Sequence, residues 1–577
     1  YALIVVGFIR CLGGCPQAPT AGQALPVIEP VTLFLILKTF AAGTTALTGI
    51  EAIADSVPAF RFPQSRNAAF TLAVLGAIAI SMLVGVAWLA HGTGVVYNPD
   101  SPYTVIAQIG IAVFDKGIMF YVIQVTTAAI LILAANTAFN GFPVLMYILA
   151  RDRIMPRFFL NRGDRLALSN GILILAFFAG LVVYVFQASL NHLLQLYLIG
   201  VFVSFTLAQG GTALRWSRLK PPGWQRRAAI NWFGAVMTGI VLGIVLVTKF
   251  LSGAWIVVAL IPVLVYLMKG INRHLEDLKK ELTAPSRRTQ GRRRHQHVVL
   301  LVTRVDAATA RAIGYVRGMR PDSATAVTFE AFNCPVWRRL VPYYPIQVLA
   351  RREGMVTDLR RYLHVMRGRL AEDDFLTVVV PETLHSRALT DVVRSPTLQA
   401  VKAALLYEPG IQVLDIPIVA GDIDPDVDEA RETVRNDVVV LAAGVNNATL
   451  QALKYAETLH PTSIRAVNFG LIPEESEKLV EDWLAEDIPY PLEIDDSPFR
   501  DIGRSLTAYV REMHPDGVRR IVTVILPEFV VPTRRHQLLH GQTGLVAKRY
   551  LLFERGVVVV SVPYHIHPER VREEARR

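Results

Sequence analysis

Pro30-Val31-Thr32-Leu33-Phe34-Leu35-Ile36-Leu37-Lys38-Thr39-Phe40-Ala41-Ala42-Gly43-Thr44-Thr45-Ala46-Leu47-Thr48-Gly49-Ile50-Glu51-Ala52-Ile53-Ala54 decides how this chain is read. The stretch is long enough to cross a bilayer, which takes roughly 20 apolar residues as a helix. Its centre nevertheless holds Gly43, Gly49 and three threonines, with Glu51 just beyond. Polar groups in hydrocarbon cost free energy, so an uninterrupted membrane helix gains nothing from them. They suit a helix that unwinds at mid-depth. Freed carbonyls and threonine oxygens there can hold an ion while neighbouring helices shield the backbone. A transporter is therefore the expectation.

The chain has 577 residues and a mean hydropathy of +0.38, yet 19% of it is charged. Two unlike halves produce that average: apolar runs fill the chain up to about residue 270, and most charges lie beyond. The opening Tyr1-Ala2-Leu3-Ile4-Val5-Val6-Gly7 has no Met and no basic run before it, so it reads as the end of a membrane helix and the chain as a fragment. Cys11, Cys15 and Cys334 form neither a disulfide framework nor a metal pattern. Cys11 and Cys15 are near enough to bridge, but isolated apolar cysteines are the expectation.

Complete spans are expected at 31–55, 67–91, 111–136, 168–187, 191–210, 229–248 and 253–269. Arg61 and Arg66 follow the first, and residues 92–114 carry no Lys or Arg. Arg151, Arg153, Arg157, Arg162 and Arg165 crowd a later loop, and Arg215, Arg218, Lys220, Arg226 and Arg227 another. Between those two loops, 188–190 has no basic residue, and the turn near Ser252-Gly253 has only Lys249. This alternation puts the arginine-rich loops and the C-terminal half in the cytoplasm. The cluster Arg287, Arg288, Arg292, Arg293 and Arg294 after the last span reads as a solvated linker beside anionic lipid, so the net charge of +11 does not point to nucleic acid.

Taken singly, Thr44, Thr45 and Thr48 read as hydroxyls bonded to carbonyls one turn back. Together with two glycines in one heptapeptide they read as an unwound site. For Glu51 three roles stay open: proton carrier, gate partner of an arginine, or carboxylate reaching interfacial water. Asn136 and Asn140 share a helix face and read first as packing residues. Tyr197 is a mid-span phenol among aliphatics, and packing and ion-site roles both stay open for it.

The second half contains a repeat. Val298-Val299-Leu300-Leu301 aligns with Val438-Val439-Val440-Leu441 at an offset of 140, and the register keeps Thr309/Thr449, Ala312/Ala452, Tyr315/Tyr455, Pro321/Pro461 and Phe329/Phe469. At an offset of 146, Thr377-Val378-Val379-Val380-Pro381-Glu382 parallels Thr523-Val524-Ile525-Leu526-Pro527-Glu528, and Leu405-Leu406-Tyr407-Glu408 parallels Leu551-Leu552-Phe553-Glu554. Shared order at near-constant offset implies two homologous domains. Continuous Val/Ile runs between helical patterns indicate parallel strands buried on both faces. The expected organisation is a membrane domain at 1–273, a basic linker at 274–296, and α/β parallel-sheet domains at 297–420 and 437–565. Ligand loops of such sheets would start near Thr303, Gly444, Pro381, Pro527 and His540. His297, His565 and His567 lack a metal-site pattern, and surface or core roles are expected for them.

The string Phe40 to Ala52, with Val57-Pro58-Ala59-Phe60-Arg61-Phe62-Pro63 and Asn67-Ala68, resembles the amino acid/polyamine/organocation (APC) transporter superfamily. The stretch Ala134 to Pro143, Asn161-Arg162-Gly163-Asp164-Arg165, and Gln195-Leu196-Tyr197-Leu198-Ile199-Gly200-Val201-Phe202 are similar to its KimA-like branch, whose members import potassium with protons. The C-terminal repeats resemble universal-stress-protein-like domains. The resemblance implies a LeuT-type inverted repeat, a homodimer, and control by cyclic di-AMP in some members. It also implies a potassium site to which Thr44, Thr45 and Tyr197 contribute. Three departures accompany it. Other ion ligands of the family lie on early helices that this chain is expected to lack. Two stress-protein-like repeats stand here, where some relatives carry one. The ATP signature of those domains starts at Gly541 and Gly544 but meets Glu554 and Arg555 where Gly and Ser/Thr should follow, so ATP is not expected.

The reading is thus a proton-coupled potassium importer with cytoplasmic regulatory domains, lying in the lipid membrane and binding no metal beyond potassium. Rival readings are an amino-acid permease of the same fold and a membrane-tethered nucleotide sensor. No convergent nucleophile, base or metal set appears, so no enzyme is expected.

Overall fold

A computed structural model describes residues 1–23, 32–44, 49, 53, 57, 60–97, 102–160, 168–250, 253–283, 294–330, 344–384, 396–419, 435–470, 473–495, 502–517, 519–530 and 542–566. Two compact units emerge: Tyr1–Ile148 with Asn170–Lys269, and Leu149–Ser169 with Gly270–Arg577.

Aliphatic runs too long to end in water form α1 (Ala2–Cys11), α2 (Leu33–Gly43), α3 (Gln64–Gly92), α4 (Val105–Phe114), α5 (Ile118–Arg151), α6 (Ser169–Val185), α7 (Leu190–Leu219), α8 (Trp224–Lys249) and α9 (Ala254–Thr283). Among the described residues five helices, α3, α5, α7, α8 and α9, are long and apolar enough to cross a membrane. The span expected at 111–136 needs correction: its first residues belong to the buried helix α4, and α5 starts only at Ile118. Asp115 separates the two at φ 54°, a conformation no helix continues through. Hydropathy averages across such a break without registering it. The span expected at 31–55 starts as α2 but leaves the helix at Gly43. Gly171 sets the approach of α6 to α5, since a Cβ there would come within 2.9 Å of Pro143.

Cys11 and Cys15 are also corrected: they form a disulfide, with Cα atoms 3.9 Å apart. Cys11 ends α1, and Gly14 at φ 111° lets the chain turn back at once. Sequence spacing alone does not reveal that reversal.

In the second unit the two repeats fold in matching order, except that α14 of the second, between β7 and β8, has no counterpart among the described residues of the first. The first is β1 (Gln296–Leu301), α10 (Ala307–Met319), β2 (Ser323–Thr328), β3 (Ile346–Val348), α11 (Met355–Arg367), β4 (Phe375–Leu384), α12 (Pro396–Leu406) and β5 (Ile411–Val419). The second is β6 (Arg435–Leu441), α13 (Asn447–Thr458), β7 (Ser463–Phe469), α14 (Pro473–Ala485), β8 (Leu492–Asp495), α15 (Ile502–Glu512), β9 (Arg520–Val530), α16 (Gln542–Leu551) and β10 (Val557–His565). Even the register repeats: His297 faces Ser323 and Asp437 faces Ser463, while Leu376 faces Ile411 and Val522 faces Val557.

The two halves do not form separate sheets. They join in one ten-stranded sheet of order β3-β2-β1-β4-β5-β10-β9-β6-β7-β8. Pairing is parallel within each half and antiparallel where β5 meets β10. There Asp415 faces Val559, Leu414 faces Val560 and Val413 faces Ser561. At the 146-residue offset Leu414 and Val560 are equivalent positions, so an internal two-fold axis passes through their pair. Equivalent strands related by a two-fold axis through the sheet must run antiparallel, which explains the single reversal.

Side-chain alternation divides the core into three. Val298, Leu300, Val438, Val440, Leu414 and Val560 enter a core shared by both halves, which α10, α13 and α14 cover. Val299, Leu301 and Val413 pack instead against α11 and α12 of the first half. Val439 and Val559 pack against α15 and α16 of the second. Pro381 and Pro527, expected to open loops, lie inside β4 and β9. The β1 and β6 ladders stop at Val379 and Ile525, so neither proline is asked for an N–H on that side.

Candidate functional site

The candidate membrane site lies at the end of α2. Thr32 caps its start, accepting the N–H of Leu35 at 3.2 Å. The helix runs to Gly43, and Thr44 follows as its C-cap. Thr44 is 5% exposed, and its hydroxyl donates to the Ala41 carbonyl at 2.7 Å. Once that hydrogen is used, the oxygen's lone pairs are what the group offers to anything else, as a cation requires. Gly49 has φ 101°, which a side chain would resist, so the chain cannot continue α2 as a regular helix through that point.

Ala41 is fully buried with Leu198, Ile199 and Phe202 of α7 and Val245 of α8. The cluster draws the end of α2 onto the turn of α7 that carries Tyr197. Thr44 lies three residues beyond Ala41, and Tyr197 immediately precedes Leu198. Tyr197 is 42% exposed and is not a core tyrosine. Thr248 on α8, which the sequence reading passed over, is buried three residues from Val245. Thr45, Thr48 and Glu51 lie outside the described residues. Asn136 and Asn140 are exposed on α5.

In the sheet, the first loop of each half is tied in a matching way. Asp306 accepts the Thr309 N–H at 3.1 Å and the Thr383 hydroxyl at 2.9 Å. Asn446 accepts the N–H groups of Ala448 and Thr449, both at 3.1 Å. These loops sit where strand order reverses, the usual ligand crevice of such sheets. Glu382, near the carboxyl end of β4, meets Lys402 at 2.6 Å, and Lys402 also meets Asp415 at 2.9 Å. Burial opposes the charge on Lys402, but Asp415 and Glu382 outweigh it and hold the amine above the usual lysine range. The second half repeats the pair as Lys548 and Glu528 at 2.6 Å, with Ser561 donating to Glu528 at 2.8 Å. The 146-residue offset was the sequence signal for these pairs, because it aligns both lysines and both glutamates.

Comparison with known proteins adds to this geometry. Residues 2–267 match the amino acid permease family. Residues 293–418 and 434–564 match the family described as the KimA potassium transporter C-terminal domain. The potassium transporter KimA of Bacillus subtilis (strain 168) is 33% identical over 423 residues, which span 72% of this chain and 69% of that protein.

Proposed function

The chain belongs to the KimA potassium transporter family, and from that premise we propose that it carries potassium across the membrane, coupled to protons, through a site built on the break after α2. Potassium is large and weakly hydrated, so carbonyl, hydroxyl and phenol oxygens can replace its water. In this reading Thr44, Thr45 and Tyr197 supply side-chain oxygens, and Glu51 is the proton-linked carboxylate. The observation that carries the site is the end of α2 at Gly43, with the buried Thr44 hydroxyl turned back onto Ala41. The sheet serves regulation, with cyclic di-AMP as its ligand, and the chain works as a homodimer.

The permease match of residues 2–267 favours one second reading, an amino-acid carrier. Such a carrier would aim a half-helix N-terminus at the substrate carboxylate. Uptake of rubidium, a potassium surrogate, set against labelled amino acids separates the two. Rubidium is expected to enter, and a protonophore to slow it. Thr44→Ala and Thr45→Ala are each expected to cut the flux about tenfold, roughly 1.4 kcal/mol of ion stabilisation. Unchanged rubidium flux in Thr45→Ala would remove the site, and amino-acid flux without rubidium flux would replace the reading.

A further inference from the structure

After α9 the chain enters the sheet through Arg294-His295-Gln296-His297, so two imidazoles stand at the start of β1. His295 Nδ1 lies 3.0 Å from Asp322 Oδ1, and Asp322 Oδ2 accepts the Gln296 N–H at 2.7 Å. His297 Nδ1 lies 2.7 Å from the Ser323 hydroxyl, and its Nε2 is 4.0 Å from Asp374. Asp374 is already engaged by the backbone, accepting the N–H of His295 at 3.2 Å and of Ala371 at 3.1 Å. Arg367, the last residue of α11, donates to the Asp374 carbonyl at 3.1 Å. The charged and titratable groups facing His297 are therefore Asp374 on the β4 side, Asp322 on the β2 side, His295 on its own strand, and Arg367.

The equivalent corner of the second half carries different chemistry on the same backbone. At the repeat offsets Arg435 replaces His295, Asp437 replaces His297, Ser463 matches Ser323, and Arg520 replaces Asp374. Asp437 is fully buried, meeting Arg435 at 2.9 Å and Arg520 at 3.3 Å and accepting the Ser463 hydroxyl at 2.7 Å. Each corner places a side chain between the starts of its first, second and fourth strands. One of them depends on an imidazole and the other on a permanent ion cluster.

We infer that the His295–His297 corner is a proton-operated latch: acidification loosens β1 from β2 and β4 in the first half, while the Arg435–Asp437–Arg520 corner holds the second half closed. Neutral His297 fits its site through Ser323. A second ring proton would bring charge into a side chain only 18% exposed, beside the Arg367 guanidinium and short of hydrogen-bonding distance to Asp374. Burial accordingly holds His297 below the usual histidine value of 6.5, against the pull of Asp374 and Asp322. A histidine whose folded value is depressed stabilises the fold fully above 6.5, and that contribution is lost as pH falls through 6.5 towards the folded value. Asp437 also loses its contribution on acidification, but only below 3.8. Burial raises it, but Ser463, Arg435 and Arg520 together hold it below the usual 3.8, so its contribution is present above 3.8 and is lost only as pH falls through its lower folded value.

Hydrogen exchange on the full chain in detergent, corrected for intrinsic rates and taken across pH 5–8, reads this directly and needs no transport. Protection of 295–301 and 322–328 is expected to fall severalfold between the alkaline and acid ends. The paired segments 435–441 and 463–469 are expected to stay level, and His297→Gln to flatten the response of the first half. Constant protection in the first half of the unsubstituted chain, an equal loss in both halves, or a response that survives in His297→Gln would each overturn the latch.

Discussion

At the scale of single residues, the shared core turns on two tyrosines that reach across the repeat boundary. The Tyr315 hydroxyl meets Thr523 at 2.8 Å, and the Tyr455 hydroxyl meets Thr377 at 3.0 Å. Each phenol therefore ties its own half to the fourth strand of the other. Gln296 donates to Thr377 at 2.7 Å, and Thr523 donates to Asn436 at 2.7 Å, so neither threonine depends on its tyrosine alone. Removing one phenol oxygen should thus cost about 1 kcal/mol, the net worth of one neutral buried hydrogen bond. Tyr455→Phe is expected to lower the unfolding free energy of the full chain, read from its urea transition, by that amount, and Tyr455→Phe with Thr377→Val by less than the sum of the two single changes. Burial pushes the Tyr315 phenol up to about 12, and pushes Tyr455 up as well. A phenol raised in the folded state stabilises below 10 and loses that contribution as pH rises past it. Alkaline titration followed by phenolate absorbance should show these two tyrosines ionising only as the sheet unfolds.

At the scale of elements, the repeats differ in how much buried charge they carry. Lys402 on α12 is shared by two buried carboxylates, Glu382 and Asp415, whereas Lys548 on α16 meets Glu528 alone, at a pair about one-fifth exposed. Lys402→Met should leave an uncompensated buried pair of acids and cost about 3–5 kcal/mol. Lys548→Met leaves Glu528 with the Ser561 hydroxyl and some water, and should cost about 1 kcal/mol or less. Thermal melting of the two variants in detergent checks that asymmetry. The elements themselves were largely legible. Val438–Val440 and Val557–Val562 are buried on both faces and so carry an unbroken aliphatic signature, and the 140 and 146 offsets reported the pairing of homologous strands. The reversal at β5 and β10 was not legible, because a two-fold axis leaves no local pattern in either strand. The break at Asp115 and the turn at Gly14 were hidden for a related reason: each is a backbone conformation, and hydropathy does not record φ. At the candidate site the glycines and threonines signalled the end of α2, whereas the packing of Ala41 on Leu198 and Val245 joins residues some 150 to 200 positions apart, which no local window sees. His297 was read as a surface or core residue rather than a metal ligand. Its neighbours Ser323 and Asp374 come from two other strand starts, so its actual setting needed the sheet.

For the molecule as a whole, Arg151, Arg153 and Arg157 fall in the same compact unit as the sheet, as expected if both lie on one side of the membrane. Within that unit, Leu278 and Leu282 of α9 pack on Phe529, Tyr564 and Ile566 from the second half, while the chain leaving α9 next forms β1 of the first. Both halves are thus anchored to one helix, joined by one sheet and closed over one core. Neither can open fully without exposing side chains of the other, so global unfolding of the sheet should be cooperative, whereas the loosening at the His295–His297 corner is a local opening that leaves the shared core closed. Leu414 tests this most directly, because it lies on the internal axis and is fully buried in the shared core. Leu414→Ala should remove about 2–5 kcal/mol of stability. If global unfolding is cooperative, the slowest-exchanging amides, read at pH 8 where the His295–His297 corner is closed, will show the same loss of opening free energy at β1 and β4 as at β6 and β9, although Leu414 belongs to the first repeat. A loss confined to β1, β4 and β5 would mean that the halves open separately and that the continuous sheet is only a contact between independent domains.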